Sequence, residues 1–271
     1  MGIPGAGKSL LAAEYVEPGY ARLNRDERRG SLGDVATALE EALGAGSREV
    51  VLDNTYLTRA ARSHVVEAAT RHGVPVRCVW VEITLAQAQV NLVERLLEQF
   101  GALPTSEELE AAPRSMAGAL TPTQQMRAFR ELEPPADDEG FASVERVRMS
   151  ERSMPAPRAS SSLRPQPRGS HAPAERQPRP IVFDWRPDGS SAELEESVAL
   201  VRPSVSGAIE GALCPHPGGP PVCWCRPPLP GLPLAFARRH GIDPSQAVVV
   251  GASAAHRTLA NALGARYVAV S

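Results

Sequence analysis

The sequence predicts an α/β protein, a parallel sheet with helical crossovers followed by a second, smaller α/β domain. Three observations carry this. Short apolar runs alternate with segments of helical periodicity along residues 9–147 and again along 181–271, the pattern of right-handed βαβ units. Gly2-Ile3-Pro4-Gly5-Ala6-Gly7-Lys8-Ser9 fits the spacing G-x-x-x-x-G-K-[ST] without a mismatch, a loop that hangs between a strand and a helix. Between the patterned stretches, residues 150–180 are rich in Arg, Pro and Ser without a period, the composition of a flexible linker. The expected organisation is a P-loop domain over 1–149, a linker over 150–180 and a second domain over 181–271.

The loop carries specific chemistry. Gly2, Gly5 and Gly7 let the backbone bend so that successive N–H groups, Ala6 among them, point inward at a phosphate. Lys8 would reach the β/γ-phosphates as a compact charge, and the Ser9 hydroxyl would sit on Mg²⁺. Of the 29 basic residues, Lys8 is the only lysine. Arginine's planar fork cannot replace an ammonium inside this loop, so the single lysine falls where the chemistry needs one. The expected ligands are therefore ATP and Mg²⁺. Only Met1 precedes the loop. The strand expected ahead of it is either encoded upstream or missing from the P-loop NTPase-type sheet.

Composition excludes several classes. A formal net charge of -2 creates no general field for gripping nucleic acid. No apolar run reaches the length of a membrane span, and no signal peptide precedes the loop. Three of the four cysteines fall within twelve residues beside a histidine, which argues for a metal site in a reducing compartment rather than for disulfides. The expected location is cytoplasmic.

Taken in order, a helix is predicted over Ser9–Val16, ended by Pro18-Gly19, and a strand over Tyr20–Asn24. The charged run Asn24–Arg29 then lies at that strand's carboxyl end, the edge where open α/β sheets bind ligands. A helix over Ser31–Leu43 follows from Leu32, Val35, Leu39 and Leu43, closed by Gly44-Ala45-Gly46. Glu49–Asp53 is an apolar run ending in a carboxylate, the form of a strand whose acid helps hold Mg²⁺. A helix over Thr58–His72, a strand over Pro75–Ile83 and a long helix over Thr84–Phe100 come next, the last opened by a capping box Thr84-x-x-Gln87. Shorter helices are expected at Ser106–Ala112 and Pro122–Leu132, with an edge strand at Phe141–Val147. The second domain reads as strand Ile181–Phe183, helix Ala192–Val201, a cysteine loop, helix Leu232–His240, strand Ala247–Val250, helix Ala254–Leu263 and strand Tyr267–Val270.

Phosphoryl transfer to a hydroxyl needs positioned phosphates, neutralised charge and a group that takes the acceptor's proton. Asp26, at a strand end near the loop, is the best general base in the sequence. Simpler readings compete: a solvated loop acid for Asp26, a helix N-cap for Asp53 with Thr55 and Thr58 as rivals, and a surface arginine for Arg95.

Gly2–Ser9, Asn24-Arg25-Asp26-x-x-Arg29 and Asp53-Asn54-Thr55, in that order, resemble the kinase module of the polynucleotide kinase–phosphatase family over residues 1–147. The resemblance implies that Asp26 is the catalytic acid, that Arg29 places the acceptor, and that Asp53 serves the Mg²⁺ shell or the acceptor site. Such kinases also bring lid-helix arginines to the transferring group, which points to Arg95; one turn on, this chain has Gln99.

Cys214-Pro215-His216 and Cys223-Trp224-Cys225 supply three thiolates and an imidazole, a donor set suited to a closed tetrahedral structural Zn²⁺. With Pro230-Gly231-Leu232 and Val249–Ser253, the loop resembles the zinc-bearing branch of the haloacid dehalogenase phosphatases, which includes the histidinol-phosphate and heptose-bisphosphate phosphatases. Their catalytic residues do not carry over. Arg186 stands where the second acid of the nucleophile motif belongs, Pro227 where a lysine does, and Gly251-Ala252-Ser253 where the motif has G-D-S. The second domain is expected to be a degenerate, phosphatase-inactive unit. The chain as a whole is expected to be an ATP-dependent kinase acting on a hydroxyl, with a nucleic-acid 5′-OH end as acceptor. The alternatives are a kinase for a small hydroxyl-bearing metabolite and a non-catalytic nucleotide-binding scaffold.

Overall fold

The computed structural model describes residues 1–28, 30–113, 116, 118–148, 181–184, 195, 198–199, 202–204, 210–214, 223–251 and 253–269. The chain divides into two compact units, Met1–Met149 with Gly218–Ser271, and Ser150–Pro217.

The first unit begins with the P-loop and α1 (Lys8–Val16), followed by β1 (Ala21–Leu23), a single turn α2 (Arg25–Arg28), α3 (Leu32–Gly44) and β2 (Val50–Leu52). Next come α4 (Arg59–Arg71), β3 (Arg77–Glu82), α5 (Leu85–Phe100), α6 (Ser106–Ala111), α7 (Pro122–Arg130), a 3₁₀ turn at Asp137–Glu139 and β4 (Ser143–Arg148). β1 pairs with β2 in parallel from Ala21↔Val50 to Leu23↔Leu52, and β3 with β4 from Arg77↔Ser143 to Glu82↔Arg148. Parallel pairing requires a crossover between partners, and α2 with α3 supplies the first while α5–α7 supply the second.

The expected single sheet therefore takes the form of two short parallel ladders. Met1 lies between them: its ammonium donates to Val79 O at 2.5 Å, its carbonyl accepts from Val81 N at 2.9 Å, and Gly2 N donates to Thr55 O at 3.1 Å. Burial pushes that ammonium down to about 6.

Helix starts follow local rules. Ser31 and Asp34 form a reciprocal capping box on α3, and Thr58 caps α4 by accepting from Ala61 N. Thr58, rather than Asp53, thus takes the cap role that the sequence left open. The box expected at Thr84 is only half made. Thr84 accepts from Gln87 N, while the Gln87 side chain turns down the helix to Asn91 Oδ1 at 3.2 Å.

Two apolar clusters hold the unit. Leu23, Val35, Leu39, Leu43, Tyr56 and Val65 pack α3 and α4 around β1 and β2, while Ile3, Ala6, Leu11, Val81 and Ala88 pack the P-loop between α1, β3 and α5. α5 buries Ala88, Gln89, Val90, Leu92, Val93, Leu96 and Leu97, more than one face of a surface helix. It is a packed wall. Part of that burial comes from the same unit's C-terminal elements, α8 (Gly231–His240), β7 (Val248–Gly251), α9 (Ala254–Leu263) and β8 (Arg266–Ala269), because α8 and α9 both pack against α5. β7 and β8 pair in parallel across α9, from Val248↔Arg266 to Gly251↔Ala269, a complete βαβ unit.

In the second unit, β5 (Ile181–Asp184) and β6 (Glu210–Leu213) also pair in parallel. The expected helix Ala192–Val201 falls mostly outside the described residues. Among the described residues, no helix is long and apolar enough to cross a membrane.

Candidate nucleotide site and cysteine loop

The P-loop is shaped by backbone that L side chains avoid. Gly7 caps α1 at φ 91° and Gly5 sits at φ 85°. A Cβ on Gly5 would stand 2.2 Å from Ala88 O of α5, so steric contact as well as the dihedral demands glycine there. Gly5→Ala is expected to add about 1–3 kcal/mol of strain, read as a loss of about 5- to 150-fold in affinity for a fluorescent ADP analogue. Unchanged affinity would show that this contact does not set the loop.

α1 begins without a side-chain cap on its first N–H groups, which leaves a helix N-terminus open to an anion. Lys8 starts this helix, with Ser9 next and exposed. The Lys8 side chain is half-buried and turns its ammonium inward to Ile3 O at 2.9 Å. Burial pushes its pKa down to about 8; Asp53 and Asp26 pull it back up, and Arg95 adds to the depression. Three charges far apart in sequence, Asp26, Asp53 and Arg95, thus act on Lys8.

Asp53 follows β2 and is buried. Its carboxylate is ion-paired with Arg22, which also reaches Glu27 at 2.7 Å, and accepts from Asn24 Nδ2 at 3.3 Å. Asn24 is a residue whose local role the sequence reading missed. Its Oδ1 accepts from Asp26 N at 2.8 Å and Glu27 N at 3.1 Å, capping α2, while its Nδ2 donates to Asp53 O at 2.6 Å. One side chain thus fixes the strand end of Asp53 and the turn that carries Asp26. N-cap preference at a strand end was the available signal. Asn54 completes the tie by accepting from Arg25 N at 2.9 Å and donating to Leu23 O at 3.2 Å. Asp26 itself is partly exposed and touches its neighbour Arg25 at 3.2 Å. Arg29 lies outside the described residues.

Lys8, Asp53 and Asn54 share the wall of a small cleft, about 50 Å³, with Leu11, Leu52, Val79 and Val81. The arrangement offers backbone N–H groups, an ammonium and a buried carboxylate at one helix start, a set that fits a polyphosphate with a divalent cation.

In the cysteine loop, Cys223 and Cys225 are buried with their sulfurs within 4.8 Å of each other. Cys214, which belongs to the other unit, is buried as well. None of the chain's cysteines is in a disulfide. Two buried thiols this close, in a loop rather than a core strand, fit a soft cation such as Zn²⁺. His216 lies outside the described residues.

Comparison with known proteins agrees with the first half of this description. The profile of a family described as an AAA domain matches residues 1–117. The chain is 27% identical over 148 residues to a bifunctional polynucleotide phosphatase/kinase of Schizosaccharomyces pombe, a match covering 54% of this chain and 32% of that protein. The chain therefore spans about a third of the length of this curated relative. The N-terminal region of the chain carries a P-loop kinase-like domain with distant similarity to a polynucleotide phosphatase/kinase.

Proposed function

We propose that the chain is an ATP- and Mg²⁺-dependent kinase that transfers the γ-phosphoryl group of ATP to a hydroxyl, with a polynucleotide 5′-hydroxyl as acceptor. The observation that carries this is the geometry at the P-loop: Lys8 and the buried Asp53 line one cleft, and Asn24 ties Asp53 to the turn that carries Asp26. The N–H groups of Gly7, Lys8 and Ser9 at the start of α1 and the Lys8 ammonium hold the β- and γ-phosphates, whereas Gly2 N and Ala6 N are taken by Thr55 O and Ile3 O. Asp26 takes the acceptor's proton as the acceptor oxygen bonds to the γ-phosphorus and the bond to the β-phosphate oxygen breaks, releasing ADP. Ser9 and Asp53 would hold Mg²⁺, which would neutralise phosphate charge. Arg29 places the acceptor, and Arg95 faces the transferring group.

The test is labelled ATP with 5′-OH oligonucleotides and a panel of small hydroxyl-bearing metabolites. Label on oligonucleotides in wild-type protein, lost by about 100-fold or more in Asp26→Asn, supports the reading. Transfer that survives in Asp26→Asn removes the base assignment. Label on a metabolite alone replaces the acceptor, an outcome the near-neutral net charge of -2 keeps open. ATP binding without transfer to any acceptor would leave a nucleotide-binding scaffold.

For residues 181–271, of which 218–271 belong to the same compact unit as the P-loop, we propose a degenerate haloacid dehalogenase-like sequence without phosphatase activity, in which Cys214, His216, Cys223 and Cys225 would hold a structural Zn²⁺. Purified protein is expected to carry about one equivalent of zinc, and chelation to lower its melting temperature. Protein that retains its melting temperature with no bound metal would exclude the site.

A further inference from the structure

The cysteine loop is joined to the P-loop by a short series of hydrogen bonds. Trp224 is 1% exposed, and its indole Nε1 donates to Leu120 O at 3.0 Å. Leu120 directly precedes Thr121, the N-cap of α7, where Thr121 and Gln124 form a reciprocal capping box. On the first turn of that helix, Gln125 is 0% exposed and donates Nε2 to Pro4 O at 3.0 Å. From the neighbouring wall, Asn91 of α5 donates Nδ2 to Gly5 O at 2.8 Å, and Gln87 holds Asn91 Oδ1 in place.

These bonds fix two peptide planes. A carbonyl drawn outward turns the N–H of the same peptide the opposite way, because the amide is planar. Holding Pro4 O and Gly5 O therefore sets the path by which the loop enters Gly7–Ser9. The cost is visible at Gln125, whose Oε1 is buried with no hydrogen-bond partner among the described residues. A buried unpaired acceptor costs free energy, so an apolar residue of the same shape would pack better there. The position makes sense for the bond its amide gives to the loop.

We infer that Gln125, Asn91 and Trp224 are positioning residues, and that the C-terminal segment braces the P-loop through Leu120 and α7 so that nucleotide affinity depends on it. This rests on the proposed reading of the P-loop as a nucleotide site. It also gives the C-terminal segment a role that needs none of the lost phosphatase residues.

The experiment compares full-length wild type, Gln125→Met, Trp224→Phe and the double variant. It reads the affinity for a fluorescent ADP analogue with Mg²⁺, hydrogen exchange of residues 1–10, and melting temperature. Gln125→Met keeps the volume and removes the donor. It is expected to weaken binding about tenfold and to speed exchange in the loop, with little change in melting. Trp224→Phe is expected to weaken binding about threefold, and the double variant no more than Gln125→Met alone, because both interrupt one series. Wild-type affinity and exchange in Gln125→Met would overturn the inference. A double variant equal to the product of the two single effects would remove Trp224 from the series. Should Trp224→Phe not fold, Gln124→Ala, at an exposed site, opens the α7 cap instead and is expected to weaken binding; unchanged affinity would break the link. Wild-type protein that binds no nucleotide would sink the kinase reading, and exchange in Gln125→Met would then decide the brace alone.

Discussion

Lys8→Met is expected to abolish nucleotide binding and phosphoryl transfer while making the fold more stable at neutral pH. The loss of function follows from charge: no other lysine exists in the chain, and a P-loop ammonium acts in a cleft where water screens it poorly. A fall of about 100-fold or more in transfer rate is expected. The gain in stability follows from burial. The Lys8 ammonium is pushed from 10.5 down to about 8 on folding, so the folded state pays to keep it charged. Below about pH 8 both states are protonated and the cost is fully present. Between about 8 and 10.5 the unfolded state binds more protons, so stability rises with pH across that window. Methionine removes the charge and keeps much of the stem, and Ile3 O retains its bond from Ala6 N at 3.2 Å. The variant should gain of order 1–2 kcal/mol at pH 7, after allowance for screening, and lose that advantage above pH 10. Urea unfolding at both pH values measures this. A variant less stable than wild type at pH 7 would contradict it.

Arg62→Met is expected to be the most destabilising single change in the first unit. Arg62 and Glu139 are an ion pair with side chains 3% and 4% exposed, joined by bonds of 2.6 and 2.7 Å. The same guanidinium donates to the carbonyls of Tyr56, Leu57 and Glu133 at 2.9–3.2 Å. It ties the loop after Asp53 to the turn ahead of β4. Removing it leaves the buried Glu139 carboxylate without its counter-charge and takes a donor from three carbonyls, of which Leu57 O keeps a bond from Glu133 N, a loss of about 3–5 kcal/mol, or about 8–15 °C in melting temperature. Arg62 holds the Glu139 carboxyl below the usual range. Its contribution is therefore present above the ordinary glutamate pKa and lost as pH falls through the lower folded value. In Arg62→Met that acid-side dependence should disappear. Melting within 2 °C or so of wild type would refute the expectation.

How much of this was legible in the sequence depends on the range of the interaction. Local signals served well. The loop spacing located Gly2–Ser9, and serine or threonine before an apolar period located the starts of α3 and α4. The strand at Phe141–Val147, read as an edge, pairs with β3 from Ser143 to Arg148. The turn α2 was read only as a charged run, because four residues carry no period; what makes it helical is the Asn24 cap. The tie from Arg22 to Asp53 spans 31 residues, and that from Gln125 to Pro4 spans 121. Neither has a sequence signature, since a buried glutamine on an amphipathic helix reads like any polar position. α5 shows the same limit. Its apolar period predicted a helix, but not that α8 and α9 would cover its second face.

The single lysine supplies the most direct test of the central claim, that Gly2–Ser9 is a working nucleotide site. Protein labelled with ¹³C-lysine gives one Cε resonance, and it belongs to Lys8. That resonance is expected to titrate near pH 8 in the free protein, and saturating MgATP should shift it and raise its pKa as phosphate charge favours the ammonium. A resonance that titrates at an ordinary lysine value and does not move with MgATP would contradict the account.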